Sequence, residues 1–172
     1  MTRLQKQPEF AWLAAITVLV GAFLLFQVQP VISKIILPWF GGGPSVWTTC
    51  LLFFQVLLVG GYAYAHLLSR HVPIGRQAWV HGILVLLSLL TLPILPGEAW
   101  KPIDVEYPML RILLLLFASV GVPYLLLSAT GPLVQAWFAR RYPDRSPYRL
   151  YALSNVGSLG GLLTYPFLVE PA

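Results

Sequence analysis

Two long apolar stretches, Phe10 to Phe26 and Val46 to Leu68, flank a short segment holding two glutamines, a lysine, three prolines and a glycine triplet. A helix needs about 20 apolar residues to cross the hydrocarbon core of a bilayer. Three further long apolar runs follow. They are continuous rather than alternating, which argues against the strands of a membrane barrel. Backbone groups in hydrocarbon must be satisfied within their own segment, so each run reads as a helix. Charged residues make up only 10% of the chain against 58% hydrophobic, where soluble domains carry about 25% charged.

The expected fold is an all-α polytopic membrane helix bundle: one transmembrane domain over residues 1–172, with no soluble catalytic domain. Five spans are expected at about 10–37, 45–68, 77–95, 110–139 and 149–169. The basic start (Arg3, Lys6) followed by Phe10 to Phe26 has the look of a signal peptide. No small-x-small cleavage pattern follows and the run continues through Ile36, so it reads as a retained first span.

Charge places the ends. With the N-terminus inside, the inner segments carry Arg3 and Lys6, then Arg70 and Arg76, then Arg140, Arg141, Arg145 and Arg149, eight of the 11 lysines and arginines. The segment from Pro96 to Pro108 is acidic instead, with Glu98, Asp104 and Glu106. This is the positive-inside pattern, and it puts the C-terminus outside. Trp39, Trp47, Trp79, Trp100 and Trp137 fall near expected span ends, as interfacial aromatics do.

The first and fourth spans exceed what a core of about 30 Å requires at about 1.5 Å per residue. Both hold proline: Pro30 in the first, Pro123 and Pro132 in the fourth. They run in opposite directions and occupy corresponding places in a three-plus-three inverted repeat. Paired, proline-interrupted spans point to a transporter-like site. The plainer reading is that proline is tolerated in membrane helices.

Several polar residues share helical faces. Gln27 and Lys34 lie seven apart on the first span; Thr48, Gln55, Tyr62 and His66 share a face of the second. On the fourth, Tyr124, Ser128, Gly131 and Gln135 align. On the fifth, Ser154 and Ser158 align with Asn155 beside them. Two readings stand: a polar cleft between spans one, two, four and five, or interhelical hydrogen bonds that hold the bundle. Lys34 and Glu170, near the outer ends of spans one and five, are candidates for an ion pair or a polar ligand. Alternatively, Lys34 snorkels to the headgroups. The candidate ligand-binding set is Gln27, Lys34, Gln55, Tyr124, Gln135, Asn155 and Glu170. Gly157 and Gly161 form a small-xxx-small pattern and mark a tight helix contact, within the chain or with a partner.

Other chemistries find no support. The lone Cys50 allows no internal disulfide and no multi-cysteine metal site, and His66, His71 and His81 have no metal-ligand spacing. Gly41 to Gly43 lacks the Gly-Lys-Ser/Thr ending of a phosphate loop and reads as a tight outer turn. The glycines of the fifth span have the wrong spacing for a dinucleotide fingerprint. No paired-carboxylate, Ser-His-Asp or Cys-His constellation is present. No catalytic residue, metal or cofactor is expected.

The segments Q-V-Q-P-V-I-S-K-I-I-L-P-W-F-G-G-G-P-S-V-W-T-T-C and F-F-Q-V-L-L-V-G-G-Y-A-Y-A-H stand in the first half. S-A-T-G-P-L-V-Q-A-W-F and Y-A-L-S-N-V-G-S-L-G-G-L-L-T-Y-P-F-L-V-E-P stand in the second. Together they resemble the membrane (N-terminal) half of bacterial fused spermidine synthase-like or major-facilitator-like integral membrane proteins. The resemblance implies a place in the bacterial cytoplasmic (inner) membrane. In such proteins the membrane region leads into more spans and an aminopropyltransferase-like domain of Rossmann type. No such domain lies in these residues, so no catalytic residue is carried over. A sixth span is also missing, and a truncated product or one half of a split protein is the expectation. The function expected is a non-enzymatic membrane module that anchors or serves a partner and offers a site for a small polar or cationic ligand. The alternatives are half of a secondary transporter and a structural subunit of a larger membrane complex. The partners expected are the lipid bilayer and another membrane or aminopropyltransferase-like subunit, not nucleic acid.

Overall fold

The computed structural model describes residues 8–97, 100–101 and 107–169, and among them every regular element is helical. Four segments are long and apolar enough to cross a membrane: Glu9–Phe40, Pro44–His71, Ile74–Thr91 and Pro108–Arg141. They contain helices α1 (Pro8–Ile36), α2 (Pro44–His71), α3 (Ile74–Ser88), and α4 (Pro108–Leu116) followed by α5 (Val122–Arg141). A sixth helix, α6 (Tyr148–Thr164), has 17 α-helical residues and runs on through a π-turn, Tyr165–Val169.

Local chemistry explains the breaks. α1 tightens into a 3₁₀ turn at Leu37–Phe40, which contains Pro38. The chain then reverses through Gly41 (φ 86°) and Gly42 (φ 67°), a left-handed path that L side chains resist. The Gly42 N–H donates to the Leu37 carbonyl at 3.0 Å, closing the turn. Between α4 and α5 lies a π-turn, Phe117–Gly121. Pro123 has no N–H for the Ser119 carbonyl, and a widened turn absorbs the missing bond. α3 ends sooner than the apolar run suggests. Ser88 Oγ donates to the Val85 carbonyl and Thr91 Oγ1 to the Ser88 carbonyl, each at 2.7 Å, where the helix narrows to 3₁₀.

The helices form a bundle with two distinct ends. α1 and α6 run parallel, because Gly157 packs on Leu19 and Gly161 on Phe23. The ring of Phe10, at the start of α1, lies 6.3 Å from that of Tyr142, just past α5. Arg140 donates to the Ser69 carbonyl at 3.2 Å, so α2 and α5 end together. One end therefore gathers Arg70, Arg76, Arg140, Arg141, Arg145 and Arg149. The opposite end holds the glycine turn, Lys34, Lys101 and Arg111, with the Lys101 ammonium 5.5 Å from the Trp39 ring centroid. Arg3, Lys6, Glu98, Asp104 and Glu106 lie outside the described residues.

Two glycine seams bring backbones together, and their geometry repeats. A Cβ on Gly161 would stand 2.8 Å from the Phe23 carbonyl oxygen and 3.1 Å from Phe26 Cβ. A Cβ on Gly61 would stand 2.8 Å from the Leu125 carbonyl oxygen and 3.0 Å from Ser128 Cβ. Phe23 and Leu125, Phe26 and Ser128, and Pro30 and Pro132 are all separated by the same number of residues. The α1–α6 contact and the α2–α5 contact are thus built on one plan, on helices that run in opposite directions.

Candidate functional site

The interior between α1, α2 and α5 is divided along its length. Toward the glycine-turn end it is a packed apolar plug of Ile32 and Ile36, Cys50 and Phe54, Ile112, Leu115, Leu116, Val120 and Tyr124. Phe54 is 0% exposed, and its ring lies 4.8 Å from that of Tyr124. Toward the arginine end a cleft of about 530 Å³ opens between α1, α2, α5 and α6. It reaches from Ser128 to Pro147, the turn that leads into α6. Its polar wall is Tyr62, Ser128, Gln135, Tyr151, Ser154 and Asn155. Val18, Gly21, Ala22 and Leu25 of α1 form the apolar wall opposite.

Small residues open the space. Gly21 and Gly131 have nothing within 4 Å of where a Cβ would stand, and both line the cleft. Pro132, inside α5, also lines the cleft and has no N–H for the Ser128 carbonyl. Ser128 Oγ instead donates to the Leu125 carbonyl at 2.7 Å, and Ser158 Oγ to the Ser154 carbonyl at 3.0 Å. The amides of Gln135 and Asn155 are the strongest donor–acceptor groups on the wall. Among the described residues, none that lines the cleft is charged.

The expected site residues fall in different places. Gln135 and Asn155 line the cleft. Tyr124 is 4% exposed and belongs to the plug. Gln55 is exposed on α2, as are Thr48 and His66 of the same face. Lys34 is exposed in the last turn of α1, well beyond the cleft. Gln27 is 8% exposed and joins α1 to α6: its Nε2 donates to the Gly161 carbonyl at 2.9 Å and to Thr164 Oγ1 at 2.8 Å. Those acceptors fix the orientation of the amide, and Gln27 Oε1 is buried without a hydrogen-bond partner. Glu170 lies outside the described residues, as does any pairing of it with Lys34. Gly157 and Gly161 face α1, where a Cβ on Gly157 would run into the Leu19 carbonyl oxygen.

The sequence reading overlooked two groups. Tyr151 lines the cleft, and its spacing to Ser154 and Asn155 (three and four residues) carried the signal. A polar latch also holds α3 on α5. Gln77 is 0% exposed; its Oε1 accepts from Trp137 Nε1 at 2.8 Å, and its Nε2 donates to the Val72 carbonyl at 2.6 Å. One turn on, His81 Nε2 is 3.0 Å from Thr130 Oγ1. Thr130 spends its own proton on the Leu126 carbonyl at 2.9 Å, so His81 Nε2 is the donor in that pair. The spacing of Gln77 with His81, and of Thr130 with Trp137, is the helical one.

Among the described residues no cluster of histidine, cysteine or carboxylate side chains has the makings of a metal site. The chain matches no family model, no curated protein and no solved structure.

Proposed function

We propose that this chain is a non-enzymatic integral membrane module that crosses the bilayer five times and holds a small polar ligand in the cleft between α1, α2, α5 and α6. The observation that carries the proposal is the convergence of Tyr62, Ser128, Gln135, Ser154 and Asn155 on one cavity between four helices. Polar groups at membrane depth turn toward other helices or toward a wet cavity. Among the described residues the lining has no carboxylate, so a cation there would lack a counter-charge. An uncharged hydrogen-bonding ligand fits better than a polyamine.

α6 is the fifth crossing. Its 17 α-helical residues and the following turn of five span about 30 Å, enough for the hydrocarbon core. The six arginines at one end of the bundle give the orientation, with that end cytoplasmic. The membrane is a bacterial cytoplasmic membrane, and the module works with a second membrane bundle or an aminopropyltransferase-like subunit, as the sequence resemblance implies.

A second reading, half of a secondary transporter, is favoured by the repeated glycine seam. Corresponding helices running in opposite directions, each with a proline at the same remove from the seam, are the signature of an inverted-topology repeat.

The test is mass spectrometry of small molecules that stay with the purified full chain. Wild type is expected to retain a polar molecule that the double variant Gln135→Leu, Asn155→Leu loses by roughly tenfold or more, the scale of one or two buried hydrogen bonds. Equal retention by the two proteins contradicts the cleft as the site. Solute uptake by proteoliposomes of the chain alone decides for the transporter reading.

A further inference from the structure

A second cavity, of about 710 Å³, shares no lining residue with the cleft and lies at the arginine end between the start of α1, the end of α5 and the start of α6. Trp12, Phe138 and Leu153 give it apolar walls, and Arg145, Arg149 and Asp144 stand on its polar side. The two kinds of surface are ordered along the bundle. Arg145 is in the α5–α6 turn and Arg149 in the first turn of α6, while Leu153 lies one turn deeper. Trp12 is 71% exposed in the first turns of α1, the position where indoles mark the level of the headgroups.

We propose that this groove seats an anionic phospholipid of the surrounding leaflet. Its phosphodiester lies between Arg145 and Arg149, and one acyl chain runs along Trp12 and Leu153. The proposal rests on the membrane reading of the fold but not on a ligand in the cleft. Guanidinium groups match phosphate oxygens in charge and in fork geometry. Arg145 is held in place: its guanidinium carbon lies 5.1 Å from the Tyr142 ring centroid. Asp144 opposes the arginines, yet the groove keeps a net positive charge, and Arg140 and Arg141 at the end of α5 add to the field. A free phosphate would meet the same arginines but would leave the apolar walls uncovered. A diacyl lipid covers both, which decides for the lipid.

The experiment titrates the purified full chain in mild detergent with dioleoylphosphatidylglycerol or dioleoylphosphatidylcholine and counts bound lipid by native mass spectrometry. The anionic lipid is expected to bind about tenfold more tightly, consistent with two arginines acting near a membrane surface. Arg145→Gln with Arg149→Gln should remove most of that preference. Arg70→Gln with Arg76→Gln removes equal charge at the same end away from the groove and should keep it. Excess glycerol 3-phosphate should not displace the lipid. Equal binding of the two lipids overturns the proposal, as does an equal loss in both double variants. Displacement by glycerol phosphate overturns the lipid assignment in favour of a headgroup-only site.

Discussion

The plug and the cleft are continuous, use three of the same helices, and differ in nearly every physical respect. Tyr124 and Ser128 stand one turn apart on the same face of α5, one closing the plug and the other opening the cleft. On α2 the same change falls between Leu57 and Tyr62. The plug is filled by branched and aromatic side chains that interdigitate. The cleft is left open by Gly21 and Gly131 and is edged with amides and hydroxyls. One helix face thus serves two purposes at two depths, and packing volume decides which.

That contrast predicts unequal responses to substitution. Phe54→Ala empties the middle of the plug and should destabilise the bundle by roughly 3 kcal/mol in reversible unfolding from mixed micelles. This is the low end for a buried aromatic, because burial gains little when the solvent is itself hydrocarbon. A loss under about 1 kcal/mol would mean that the plug is not close-packed. Tyr124→Phe keeps the ring against Phe54 and removes only a hydroxyl. It should shift stability by less than about 1 kcal/mol and leave ligand retention unchanged. A Tyr124→Phe protein that lost the ligand would move the plug boundary a turn deeper and bring Tyr124 into the site.

Much of the bundle was legible in the sequence. Run length and continuity pointed to an all-helical membrane architecture, because hydrocarbon solvent leaves the backbone few choices, and four of the five expected spans are segments long and apolar enough to cross. Helical spacing also gathered Ser128, Gly131 and Gln135 onto one face, and Ser154 and Ser158 onto another with Asn155 beside them; of these last three, Ser154 and Asn155 line the cleft. Depth was not legible. Tyr124 has the same angular position as Ser128, and nothing in the spacing tells that Phe54 lies against it. Nor did the face of α2 that carries Gln55 reveal its exposure, since a polar stripe reads alike whether it meets another helix or the outside. Gly157 and Gly161 announced a close approach. That the approach is to Leu19 and Phe23 of the same chain depends on the parallel course of α1 and α6, which only tertiary structure supplies. The latch of Gln77 and His81 is not legible because their partners on α5, Trp137 and Thr130, lie more than a span away.

On the proposed reading, water reaches membrane depth in the cleft between α1, α2, α5 and α6. The most direct measurement places single cysteines on α6 in a Cys50→Ala background and labels them in intact membranes with a small hydrophilic thiol reagent. Cysteine at Ser154, half-buried in the cleft, should label readily, and cysteine at Val156, 61% exposed on the outer face, should stay unlabelled. Equal labelling at both positions, or labelling at Val156 alone, contradicts the account.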